Sequence, residues 1–308
     1  MALSVAYGSY TGNGADNRDI TPATSFAIKF IYIRRDDASA IEGAVGSISG
    51  MGDSAFDGFQ NNTNTANQIQ SMGTGTFQIG TDVAVNADTI GYHYFCLGGD
   101  DTEIKVGTYT GNATDPQAVT GVGFAPEVLI IKGADNGYAN MRFGTTGDSS
   151  QFFGDVANLA NYIQSLDADG FTVGTGNSIN NSGVTYYYCA VKSVSGQTYV
   201  GNYSGNSTDN RNIGGVGFVP ELVWIKANSG SYQFQWSNTG RSDDTSDTAV
   251  NTANYANGIQ ALQSDGFQVG TDARVNVTGT DYFYYAIKNA AAAGGSAVPI
   301  PTLLLMGV

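Results

Sequence analysis

The chain holds a single histidine, two cysteines and six prolines in 308 residues, and only 13% of its side chains are charged. Each shortage excludes something. Metal centres draw on clustered His, Cys and carboxylates. Here His93 stands alone in a Tyr-rich stretch, with Tyr187 and Phe283 at the matching places further along. A Ser–His nucleophile pair would have to use that same His93, and no G-x-S-x-G elbow is present. Cys96 and Cys189 fall at different places in the repeat described below, so they read as two small buried hydrophobes and not as a crosslink. Lys and Arg number 13 against 27 Asp and Glu, a net charge of −14 with no basic cluster, which argues against nucleic acid as a partner. No stretch reaches the ~18–20 apolar residues of a membrane span. The opening residues Met1 to Val5 lack a basic segment followed by an apolar core, so no signal peptide is expected. Asp167 with Asp169, and Asp243 with Asp244, are carboxylate pairs by type alone, and no calcium-loop ligand pattern follows Asp167. The expectation is a protein without catalytic residues, metal or cofactor.

What is abundant points one way. Gly numbers 42, Tyr 18 and Phe 15, with Asn, Thr and Ser plentiful and Glu, Lys and Leu scarce. Short strands joined by tight turns suit that composition, and a helical bundle does not.

The strands recur. The stretch 169–192 returns at 265–288 and, worn, at 75–98. From its Phe to its first Tyr the interval is 15 residues each time: Phe77 to Tyr92, Phe171 to Tyr186, Phe267 to Tyr282. Upstream, Tyr-Thr/Ser-Gly-Asn stands at 10–13, 109–112 and 203–206, followed by Asp16, Asp115 and Asp209. Gly, Asn and Asp in this order are turn chemistry, with a calcium or ligand loop as the alternative. Between these lies G-F-x-P-E-x-x-x-I-K at 123–132 and 217–226, with a degenerate copy at 25–34. The run Val128 to Ile131 within it reads as a strand covered on both faces. The reading is all-β: three tandem antiparallel, jelly-roll-like β-sandwich repeats of about 95 residues. They occupy 1–100 (divergent), 101–194 and 195–289. A period of that length suits separate beads better than propeller blades. Three similar units also allow one chain to mimic a trimer.

Two departures from the repeat stand out. In the third unit Tyr232, Phe234 and Trp236 alternate with Gln, which puts three aromatics on one strand face. This face is either core or a sugar-binding platform. The second unit offers Tyr138, Asn140 and Arg142 instead, unless a one-residue gap intervenes. In that unit Val156, Leu159, Ile163 and Leu166 keep helical spacing behind Asp155, which predicts a short helix.

Residues 290–308 form a small-residue linker and an extended apolar tail. The tail carries Pro299, Ile300, Pro301, Leu303, Leu304, Leu305 and Met306 and no charge from 298 onward. Too short to span a bilayer, it is expected to be buried in assembly, on its own domain or as a strand added to a neighbour.

Taken as a set, the motifs at 203–211, 217–226, 265–270, 275–276 and 282–288, and again from Tyr109 to Lys192, resemble uncharacterised repeat domains. These occur in structural proteins of tailed bacteriophages and their marine relatives, often tail-fibre or other virion-surface proteins. The first unit departs, lacking Pro-Glu and the Asp-Gly before Phe77. The resemblance implies a non-enzymatic structural protein on the virion surface, as a capsid decoration or a tail-fibre or tail-associated protein. It would be made in the host cytoplasm and partnered by other virion proteins or by copies of itself as a homo-oligomer. The alternative is a carbohydrate-binding adhesin that recognises host surface glycan through Tyr232, Phe234 and Trp236.

Overall fold

The computed structural model describes residues 2–37, 44–53, 59, 65–228, 235–239, 245–248 and 255–290. The chain is all-β, built of antiparallel sheets with, among the described residues, two helices of a single turn, Val83–Asn86 and Ala273–Asn276.

In the second repeat the first strand, Ile104–Thr110, pairs with the last, Thr185–Lys192. The sheet continues through Pro126–Gly133, Asn140–Phe143 and Gln151–Phe152. A three-stranded sheet of Gln117–Thr120, Gly170–Val173 and Ile163–Asp167 covers one face of it. The first and third repeats follow the same plan around Gly91–Gly98 and Asp281–Ile287. Among the described residues no sheet mixes strands of different repeats.

The double-sided strands explain what the other face of each larger sheet does. In Ile28–Arg35, Ile31 and Ile33 face the small outer sheet with Phe77 and Ile79, while Phe30 and Tyr32 point the other way. Leu129 and Ile131 alternate likewise with Val128 and Ile130, as do Val223 and Ile225 with Leu222 and Trp224. The inward set from all three repeats forms one continuous core. Its centre is aromatic: the Phe95 ring lies 4.9 Å from Trp236 and 5.2 Å from Trp224, and Tyr32 lies 5.4 Å from Phe153. The repeats are therefore not independent beads. Each buries an outer core of its own, and all three bury their inner sheets against one another, as the mimic of a trimer requires.

Polar contacts close the ring at the sheet ends. Lys29, at the position of the motif glutamates, donates to the Ile104 carbonyl of the next repeat at 2.6 Å. Glu127 accepts from Thr198 Oγ1 of the third repeat at 2.8 Å. Glu221 accepts from Asn289 Nδ2 at 2.7 Å, and Asn289 pairs with both backbone groups of Val5 in the first repeat, at 2.8 and 3.0 Å. The segments between the large-sheet strands also reach the next repeat. Ala139 N donates to the Phe59 carbonyl at 3.0 Å, Lys226 Nζ to the Val156 carbonyl at 3.1 Å, and Tyr7 shares a hydrogen bond with Thr239.

The predicted helix behind Asp155 does not form. Ile163 and Leu166 lie in the strand Ile163–Asp167, whose register shifts between Ile163 and Ser165. That irregularity breaks strict alternation and leaves apolar residues at helix-like intervals. The tail residues Pro299, Ile300, Pro301, Leu303, Leu304, Leu305 and Met306 lie outside the described residues.

Candidate functional site

Most polar residues that recur in the repeats hold backbone together. Asn180 is buried, and all of its hydrogen-bonding capacity goes to main chain. Its Oδ1 accepts from Asn112 N and Ala113 N at 2.8 and 3.2 Å, and its Nδ2 donates to the Thr114 and Gly174 carbonyls at 2.8 Å each. Asn86 and Asn276 tie the first turn to the second sheet in the same way. Asp16, Asp115 and Asp209 accept from Gln70, Gln164 and Gln260 at 2.9–3.0 Å, which supports the turn reading of those aspartates. Asp169 and Asp265 each accept from the amides of two glycines, Gly121 with Gly123 and Gly215 with Gly217. Those bonds hold the Asp265 carboxyl below the usual carboxylate range. Asp167 accepts from Thr172 Oγ1, and Asp243 and Asp244 lie outside the described residues. His93 Nε2 rests 3.2 Å from Asp36. Among the described residues no three His, Cys, Asp or Glu gather where they could hold a metal.

Cys96 and Cys189 are free and buried, as expected of small core residues, and burial pushes the Cys189 thiol up to about 12.

Of the three third-repeat aromatics, Trp236 takes the core reading of that face. Trp236 is fully buried, paired across the sheet with Trp224 and packed on Phe95 of the first repeat. The reason is the one-residue gap: Trp236 faces Trp224 as Met141 faces Ile130, so the Trp occupies an inner-core position and not that of Arg142. Tyr232 and Phe234 lie outside the described residues.

A cleft of about 470 Å³ opens instead in the second repeat. Tyr138 and Tyr162 line it, each set edge-on to the buried Phe152, at 5.9 Å and 77° and at 5.1 Å and 83°. Both rings rest on glycine. A Cβ on Gly154 would come within 2.5 Å of Tyr138, and one on Gly176 within 2.4 Å of Tyr162. Val156 and Leu159 complete the apolar lining, and Asp135, Asn177 and Asn181 supply a polar edge. Tyr162 OH donates to Asn177 Oδ1 at 3.1 Å, and Asn181 Nδ2 to Asp135 Oδ2 at 3.2 Å.

The cleft is braced from behind. Buried Lys132 donates to the carbonyls of Gly133, Asp135 and Gly137 at 2.8–3.2 Å, which fixes the loop that carries Tyr138. Asn140 Nδ2 joins the Tyr138 carbonyl to Ser178 Oγ at 3.0 Å each. Lys226 of the third repeat holds the Val156 carbonyl, and burial pushes its ammonium down to about 8.

The third repeat closes the equivalent space. Counting from the shared buried Asn, the positions of Gly176, Asn177, Ser178 and Asn181 hold Asp82, Val83, Ala84 and Ala87 in the first repeat. In the third they hold Asp272, Ala273, Arg274 and Val277. Asp82 and Asp272 cap the one-turn helices, each accepting from the amide two residues on at 2.8 Å. Gly176 removes that cap and admits the Tyr162 ring. In the third repeat Arg274 lies 4.0 Å from the ring centroid of Tyr255, the counterpart of Leu159, and this pair fills the position. The signal was present in the sequence as a cluster of exchanges within one otherwise repeated stretch.

A family model for a domain of unknown function, DUF7483, matches residues 195–298, which span the third repeat and the start of the linker and tail. No curated protein matches the chain.

Proposed function

We propose that this chain is a non-enzymatic structural protein displayed on the surface of a phage-type particle, as a capsid decoration or a tail-fibre or tail-associated protein. The observation that carries the reading is the use made of the recurring polar residues. Asn86, Asn180 and Asn276, with their partner turns, hold main chain, Lys29 and Glu127 hold the next repeat, and Glu221 holds Asn289, which bonds Val5 of the first. A chain whose repeated polar groups serve closure is suited to bearing load and presenting loops. Three repeats around one core reproduce, in a single polypeptide, the arrangement that three subunits adopt about an axis. The motif resemblance to virion-surface repeat domains points the same way. In this reading the apolar tail at 298–308 joins the protein to other virion proteins or to copies of itself.

Antibody raised against residues 195–289 tests the proposal on particles purified from cells that carry the gene. Labelled particles are expected, and label confined to soluble cell protein would contradict it. A chain ending at residue 297 should melt like the full chain yet be missing from particles. Normal incorporation of that shortened chain would remove the role given to the tail.

A further inference from the structure

We infer that the second-repeat cleft is a binding site for a neutral pyranose ring of a glycan. A pyranose presents a flat C–H face ringed by hydroxyls, and it is held by an aromatic face beside hydrogen-bonding groups. The cleft offers both. Tyr138 and Tyr162 are fixed against Phe152, so their rings are in place before any ligand arrives. Asn177 commits its Oδ1 to Tyr162, and Asn181 and the Asp135 carboxylate stand on the same rim. The volume of about 470 Å³ lies within the range of small-molecule sites, roughly 300–1,000 Å³.

Charge selects the class. An anion would meet the Asp135 carboxylate at the rim, in a chain of net charge −14. The ammonium groups of Lys132 and Lys226 lie behind the lining and are spent on carbonyls of the cleft's own backbone, so they do not offset that cost. The rest of the polar edge is amide and hydroxyl, which suits a neutral ligand that both donates and accepts hydrogen bonds. The third repeat lacks the site, since Arg274 and Tyr255 occupy the counterpart position there. The assignment stands whether or not the chain is carried on a particle.

Saturation-transfer NMR on the full chain tests it, with maltose, cellobiose, lactose and chitobiose as probes and choline and glucuronate as charged controls. At least one neutral disaccharide is expected to receive saturation and neither control to compete with it. Asn177→Ala removes only an exposed side chain and should weaken binding several-fold, and Tyr162→Ala by about tenfold or more. Leu159→Trp puts a larger ring at an exposed position of the lining, where it fills the cleft, and should abolish binding with the melting transition retained. If the other single variants fail to fold, this one decides. No saturation of any neutral probe at millimolar concentration would overturn the inference. So would displacement by choline or glucuronate, or binding that survives Leu159→Trp.

Discussion

Replacing Trp236 with alanine separates a shared core from three private ones. Trp236 belongs to the third repeat, is fully buried, and meets Phe95 of the first repeat at 4.9 Å and 69°. Truncating a buried Trp costs roughly 3–5 kcal/mol through lost transfer energy and the cavity left behind. Loss of the edge-to-face pair is worth about 0.5–1.5 kcal/mol of that. A domain's whole stability is only about 5–15 kcal/mol, so the effect is large. The informative readout is where the loss is felt. Native-state hydrogen exchange should show the central strands Gly91–Gly98 and Thr185–Lys192, in the other two repeats, losing protection by about the same increment as Asp281–Ile287. Loss of protection confined to the third repeat would refute the argument that the inner sheets stabilise one another.

Three further outcomes follow from the same geometry. Asn180→Ala strands the amides of Asn112 and Ala113 and the carbonyls of Thr114 and Gly174, and should cost about 2–4 kcal/mol in urea unfolding; a loss below about 1 kcal/mol would contradict the structural role given to the repeated Asn. Burial raises the Tyr94 and Tyr186 hydroxyls to about 12. Their contribution is therefore complete below the unfolded tyrosine value of about 10 and is lost as pH rises through 12, so the urea midpoint should fall steadily over that interval; a midpoint that stayed level there would show that these phenols titrate normally. Cys96 and Cys189 are buried with raised thiol values and should resist a neutral-pH thiol reagent until the chain unfolds, which a colorimetric thiol count in native and denaturing buffer checks.

Much of the fold was legible because local chemistry states it. The Phe-to-Tyr interval marks the outer-sheet strand and the central inner strand of each repeat, and the run Val128 to Ile131 declares a strand covered on both faces. Periodicity says that a face is covered but not by what, so nothing in that run identified the other repeats as the cover. The gap before Trp236 was an open alternative in the sequence, and one residue in a connection shifts every later side chain to the opposite face, so only the strand pairing decides it. The cleft depends on Gly154 and Gly176 leaving room for two rings that are distant in sequence, and only the folded arrangement joins them.

Small-angle X-ray scattering on the fraction that elutes at the mass of one chain tests the central claim most directly. Three repeats closed around a common core should behave as a single globule of about 290 residues, with a radius of gyration of about 19 Å. The same repeats strung as separate beads would give about 27 Å and an elongated distance distribution. A value at the lower figure supports the shared core and the closed ring. A value at the higher one would contradict both.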